Sequence, residues 1–172
     1  MAGSDAGEQS PVSRPARSLG GPLALALAWV VIDQATKLWA VNALADGPLD
    51  VVWTLRFNLA FNSGMAFSQG DGFGPVIGVI ALVVVIGLVL SLRRSDNKWS
   101  IVGVGLIVGG AAGNVLDRLL RDDGWFRGRV VDFIDLQWWP IFNVADIGIV
   151  VGAVSLLVGS ARSRPAPATA RR

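Results

Sequence analysis

Four stretches of the chain are almost purely apolar: Leu19 to Val41, Gly74 to Leu92, Ser100 to Leu120 and Ile141 to Ser160. Each approaches the about 20 residues a helix needs to cross a hydrocarbon core of roughly 30 Å. They are continuous blocks, not stripes at helical or strand spacing, and a chain this small cannot bury several such blocks in water. Backbone groups cannot be hydrated inside a bilayer, so each block is expected to be a helix. The connection 51–68, VVWTLRFNLAFNSGMAFS, instead alternates β-branched and aromatic residues with polar ones and breaks at Ser63-Gly64, which predicts strands with a turn there. Residues 129–138, RVVDFIDLQW, also read as extended. The pattern therefore predicts an all-α membrane protein of four transmembrane helices, with a small extracytoplasmic β-layer formed by the outer loops.

Residues 1–18 and 161–172 are polar, contain proline and lack periodicity, so they are expected to be disordered cytoplasmic tails around a membrane domain at 19–160. Four spans put both tails in one compartment together with Arg93, Arg94 and Lys98, and the excess of Arg and Lys makes that compartment the cytoplasm. Arg121, Arg127 and Arg129 fall on the other side, accompanied by Asp122, Asp123, Asp132 and Asp135. Trp39, Trp99, Trp138 and Trp139 lie near span ends, where indole rings favour the membrane interface. Ala24-Leu25-Ala26 matches a signal-peptide cleavage site, but the apolar run continues well past it, which favours a retained helix.

Polar residues interrupt three of the blocks. A charge within a span costs roughly 2.5–3.5 kcal/mol on insertion scales, so such residues face protein or a wet cavity. Asp33 and Lys37 are four apart on one helical face, an arrangement that suits a simple ion pair. Gly105, Gly109, Gly113 and Asp117 fall at four-residue steps, a smooth ridge that lets a neighbouring helix approach closely. Asn114 lies one turn from Asp117 and Arg118, and Arg118 by itself reads as a snorkelling cation. Asn143, three residues before Asp146, reads as a helix cap with an acid complementing the dipole. Spans one and three run outward and span four runs inward, so all these groups are expected in one layer near the extracytoplasmic face.

Composition narrows the chemistry that layer could perform. The chain has no histidine and no cysteine, which removes Ser-His triads, thiolate chemistry and His-based zinc sites. No metal site and no cofactor is expected. The net charge is only +2, and the basic residues cluster at the termini and in one short loop, so nucleic acid is not an expected partner. What remains for hydrolysis is a pair of carboxylates sharing one proton, in which the ionised acid activates water and the neutral one donates to the scissile carbonyl. Asp146 is the first candidate, and its partner could be Asp33, Asp117, Asp132 or Asp135. An extended 129–138 would point Asp132 and Asp135 to opposite faces, so at most one of them readily joins the site.

Five short motifs in order resemble those of the lipoprotein signal peptidase family (signal peptidase II, aspartic peptidase family A8). Asp33-Gln34-Ala35-Thr36-Lys37 resembles its D-Q-x-[ST]-K box, and Asn62-Ser63-Gly64-Met65-Ala66-Phe67 its N-x-G-x-A-F loop. Gly113-Asn114 with Asp117-Arg118 resembles G-N-x-x-D-R, Val131-Asp132-Phe133 resembles V-D-F, and Phe142-Asn143-Val144-Ala145-Asp146 resembles F-N-x-A-D. The resemblance implies an intramembrane aspartic endopeptidase that removes signal peptides from prolipoproteins by cutting just before a diacylglyceryl-modified cysteine. It implies Asp132 and Asp146 as the catalytic dyad, Asn62, Asn114, Arg118 and Asn143 as substrate-binding, and Asp33, Lys37, Gly64 and Asp117 as supporting. It further implies membrane lipid and the prolipoprotein as partners, globomycin as inhibitor, and a monomeric enzyme of the cell membrane. Two other readings of intramembrane carboxylates are a small proton-coupled transporter and an assembly factor packed through its glycine ridge. Against the first, the acidic and amide groups are expected in one outer layer, and no inner-side polar group completes a path.

Overall fold

The structure, a computed structural model, describes residues 19–63, 74–92, 97–121 and 128–162. Gly64, residues 1–18 and residues 163–172 lie outside the described residues. Helix α1 spans Gly20–Ala43, strands β1 and β2 span Leu49–Val52 and Leu55–Asn62, and helix α2 spans Gly74–Leu92. Helix α3 spans Lys98–Leu120, strand β3 spans Val130–Asp135, and helix α4 spans Val144–Arg162. Helix α4 thus continues through Ala161 and Arg162, which the sequence reading assigns to the tail. Among the described residues, α1, α3 and α4 are long and apolar enough to cross a membrane.

Helix α3 is the hub, packed against each of the other three helices, and its glycines explain why. The ridge Gly105, Gly109 and Gly113 faces α1: a Cβ at Gly109 would lie 2.8 Å from both the Ala26 carbonyl oxygen and Trp29 Cβ. A second set faces α4, where a Cβ at Gly103 would lie 2.7 Å from the Gly152 carbonyl oxygen. Backbones meet that closely only where side chains are missing, and dispersion over the contact then holds helices together in a medium with no hydrophobic driving force. At the end away from the sheet, Asn97 caps α3 through the Trp99 N–H at 3.0 Å and donates to the Gly159 carbonyl of α4 at 2.7 Å.

The three strands form one antiparallel sheet in the order β1-β2-β3, resting on the C-terminal end of α1. Val131 and Phe133 of β3 bury against Ala40 and Leu44, and Trp39 packs edge-on to Phe57 with centroids 5.2 Å apart. A hairpin turn the pattern did not announce lies at Trp53-Thr54, with Trp53 at φ 52°, while the break expected at Ser63-Gly64 reaches beyond the described residues. The alternation from Leu55 to Asn62 is unbroken, which favours one eight-residue strand, and Ser63 comes only after its end.

The pairing of β2 with β3 slips by one residue between Phe57 and Ala60, a bulge. Without it, Arg56, Asn58 and Asn62 would share a face. The slip turns Arg56 and Asn58 towards Asp135 and leaves Asn62 on the side of Asp132. One strand therefore serves two polar clusters on opposite faces.

Candidate active site

The C-terminal halves of α1 and α3, the N-terminus of α4 and the adjoining strands enclose a polar cluster at the sheet end of the bundle. Every site residue expected from the sequence is in it, Gly64 excepted as outside the described residues. The cluster has an ionic floor and an amide-carboxylate upper layer.

Lys37 is the centre of the floor. Its fully buried Nζ contacts Asp33 Oδ2 at 2.9 Å, Asp117 Oδ2 at 2.8 Å and Asn114 Oδ1 at 2.9 Å, so all three ammonium donors are used. Each acid has a further positional task. Asp33 Oδ1 accepts the Ala145 N–H at 2.9 Å, satisfying an orphan donor in the first turn of α4. Asp117 Oδ2 accepts the Val131 N–H at 3.2 Å, which ties the start of β3 to α3. The pair expected as a simple ion pair is thus the keystone joining α1, α3, α4 and the sheet.

The upper layer begins with the α4 cap. Asn143 Oδ1 accepts the Asp146 N–H at 3.0 Å, while Asp146 Oδ2 accepts the Asn143 N–H at 3.2 Å. This reciprocal pair is a capping box with aspartate in the usual glutamate place. It does more than cap, because both side chains reach outward as well. Asp146 Oδ1 accepts from Asn114 Nδ2 at 3.0 Å, and Asn143 Nδ2 donates to Asp132 Oδ1 at 2.6 Å. Asn62 Nδ2 donates to the other Asp132 oxygen at 3.0 Å. Lys37 occupies Asn114 Oδ1, which obliges Asn114 to present its NH2 to Asp146. Arg118 donates to the Asn114 carbonyl at 3.3 Å, and its charge acts on Asp132, Asp117 and Asp146.

Asp132 is only 4% exposed. Burial pushes its carboxyl up, Asn62 and Asn143 pull it down, the neighbouring Asp146 charge adds to the rise, and Lys37 offsets part of it; the net value is about 6. Asp135, three residues on, is a different case. Burial again acts upward, but hydrogen bonds from Arg56 at 2.7 Å, the Gln137 N–H at 2.7 Å and Asn58 at 3.2 Å outweigh it. Its carboxyl is held below the usual range, a structural anion on the far face of the sheet.

Three contributors escaped the sequence reading. Gln34 Nε2 bonds Asp33, the Gly113 carbonyl and Asp117 Oδ1, sewing α1 to α3. An amide in mid-span was signal enough to suspect it. Arg121 Nε reaches Asp117 at 2.7 Å, one turn along α3. Trp29 Nε1 donates to the Val144 carbonyl at 3.1 Å, a contact that nothing local announces.

The family model described as signal peptidase (SPase) II matches residues 25–162. This chain belongs to that family. It is 43% identical over 154 residues to the lipoprotein signal peptidase of Mycobacterium avium (strain 104), covering 88% of this chain and 85% of that one. Identity to the lipoprotein signal peptidase of Mycobacterium tuberculosis (strain ATCC 25618 / H37Rv) is 42% over 146 residues, covering 84% and 72%. Among solved structures, a bacterial membrane enzyme determined by the in meso method at 2.3 Å resolution superposes with a TM-score of 0.75 at 26% identity, covering 88% of this chain and 95% of that one. As a signal peptidase II, the chain is a membrane-bound peptidase that cleaves signal peptides from prolipoproteins.

Proposed function

We propose that Asp132 and Asp146 are the catalytic dyad of this signal peptidase II and that they cut the prolipoprotein just before its diacylglyceryl-modified cysteine. The observation that carries this reading is Asn143, whose one side chain touches Asp132 and the Asp146 N–H. It ties the strand-borne acid to the helix-borne one.

In this mechanism Asp132, raised to about 6 by burial, keeps the shared proton, and Asp146 acts as the base. Asp146 takes a proton from water as the water oxygen attacks the scissile carbonyl carbon. Asp132 gives its proton to the carbonyl oxygen, and a tetrahedral diol results. The diol then collapses: its C–N bond breaks, the cysteine amine receives the proton held by Asp146, and a diol hydroxyl returns its proton to Asp132. Asn62, Asn114 and Asn143 hold the two carboxylates and, with Arg118, orient the peptide backbone. Asp33, Lys37 and Asp117 keep that frame in register, and Gly64 is a further supporting residue.

All four helices cross the cell membrane in this reading, with both termini cytoplasmic and the dyad near the extracytoplasmic face. Lys98 and Arg162 begin α3 and end α4 at the pole opposite the sheet, and Arg162 stacks 5.0 Å over Trp99, a cation and an indole suited to the cytoplasmic interface. The lipid-bearing substrate arrives by lateral diffusion, the enzyme works as a monomer, and globomycin binds between the aspartates. The test is purified protein in liposomes with a synthetic diacylglyceryl prolipopeptide. Mass spectrometry should show loss of the signal segment just before the lipidated cysteine, blocked by globomycin. Equal cutting of the non-lipidated peptide would refute the substrate assignment.

A further inference from the structure

Trp53 is 96% exposed at the tip of the β1-β2 hairpin, in a left-handed conformation that glycine or asparagine adopts with less strain. Trp138 and Trp139 are 70% and 58% exposed, with centroids 6.2 Å apart. They belong to the same tip, because Gln137, the residue before them, donates from Nε2 to the Thr54 carbonyl at 3.0 Å. Strand β1 continues the surface: Leu49, Val51 and Val52 are exposed, with the charged Asp50 among them, and among the described residues β1 pairs with β2 alone.

An edge strand with three of its four residues apolar would, bare in water, invite edge-to-edge pairing, while Asp50 favours a wet setting. The hydrocarbon core is no better, since its open N–H and C=O groups would go unsatisfied there. The headgroup layer satisfies both demands: water reaches the strand edge, and indole rings are most stable at that level. The surface is also continuous with the lipid-facing side of α1, because Trp39, itself part-exposed, packs on Phe57 and Phe133 of the sheet.

We propose that Trp53, Trp138, Trp139 and the β1 edge form a platform seated in the lipid headgroup layer, which sets the depth of Asp132 in the bilayer. The coupling is rigid. Asp135 grips Arg56, Asn58 and the Gln137 N–H, and it lies three residues from Asp132 on the same strand. The platform and Asp132 therefore move as one body, and the indoles act as a depth stop for a site whose substrate is itself held by lipid. The last step rests on the peptidase reading above; the seating of the platform does not.

Two arms separate these statements. The chain lacks cysteine, so single-site labels need no background removal. Spin labels on W53C and W138C, in phosphatidylglycerol-phosphatidylethanolamine liposomes, should be shielded from a water-soluble nickel chelate. They should meet oxygen less than a label on L27C in mid-α1 does. Labels as nickel-accessible as a soluble peptide overturn the proposal, as does shielding that arises only on adding substrate peptide, which would make the edge a peptide-binding strand. In the second arm, the W53N/W138S/W139S variant keeps a turn-compatible residue at 53. Its turnover of lipidated substrate should fall about tenfold in liposomes and stay within about twofold in detergent micelles, as misplacement by an ångström or so would predict. Equal loss in both media, or none in liposomes, would sink the depth-setting role while leaving the dyad intact.

Discussion

Asn143 Nδ2 lies 2.6 Å from Asp132 Oδ1, the shortest of the hydrogen bonds described around that carboxylate. The same side chain caps α4 through the Asp146 N–H, so one amide carries both the start of a helix and the orientation of a buried acid. Asn143→Ala should therefore lose about 1 kcal/mol of stability as a cap and roughly 10²-fold in turnover as a preorganised donor. It also withdraws a hydrogen bond that lowers the Asp132 value, so the alkaline limb of the pH-rate profile should move upward. A stability loss with kinetics and profile unchanged would reduce Asn143 to a cap.

Asp132→Asn and Asp146→Asn should each insert and fold, yet show no cleavage above background in the lipopeptide assay. Asp135→Asn is the control on the other face of the sheet. Loss of its Arg56 pair and cap to Gln137 should cost about 1–2 kcal/mol, read as lower thermal stability, while turnover per folded enzyme in detergent stays near normal. Strong activity in either dyad variant, or an inactive but folded Asp135 variant, would move the site to a different pair of acids.

In the proposed mechanism the pair of acids needs one proton, and Asp132, raised to about 6 by burial, is the one that holds it. Rate should accordingly fall above that point, approaching about tenfold per pH unit once Asp132 is ionised. The sign for stability follows the same shift. The unfolded carboxyl ionises near 3.8 and the folded one at about 6, so folding loses free energy as pH rises through that interval. Rates that climb steadily from pH 6 to 9 would exclude Asp132 as the proton donor.

Lys37→Met should be the most damaging single change, because it strands Asp33 as a buried charge and leaves Asp117 with Arg121 as its one remaining cation among the described ion pairs, a loss of about 3–5 kcal/mol. Neutralising all three in D33N/K37M/D117N should recover most of the thermal stability. Activity should not return with it, since Asn114 Oδ1 has lost the ammonium that turns its NH2 towards Asp146. Lys37 also lowers the Asp132 value, so residual activity should persist to higher pH than in the parent. Full activity in the triple variant would make the floor a packing element and nothing more.

Much of this arrangement is local and so was legible along the chain. Helix positions follow from long, mostly apolar blocks, because a bilayer leaves the backbone no other choice. The α3 ridge follows from glycines at four-residue steps, and the Asn143-Asp146 box from a three-residue spacing at a helix start. Even the gathering of acids and amides at one pole followed from counting span directions. These are properties of single segments or of their order.

What only the tertiary structure decided is pairing between segments distant in sequence. Four acids were open as partners for Asp146, and spacing could not separate them; the depth of Asp132 beneath Asn62 and Asn143, and the capture of Asp135 by Arg56, depend on a one-residue bulge. The turn at Trp53 was likewise hidden, since tryptophan at positive φ contradicts local preference and is sustained by the sheet around it. Periodicity reports which way a residue faces within its own element. Strand register, and the burial that shifts an acid, depend on what other elements bring to that face.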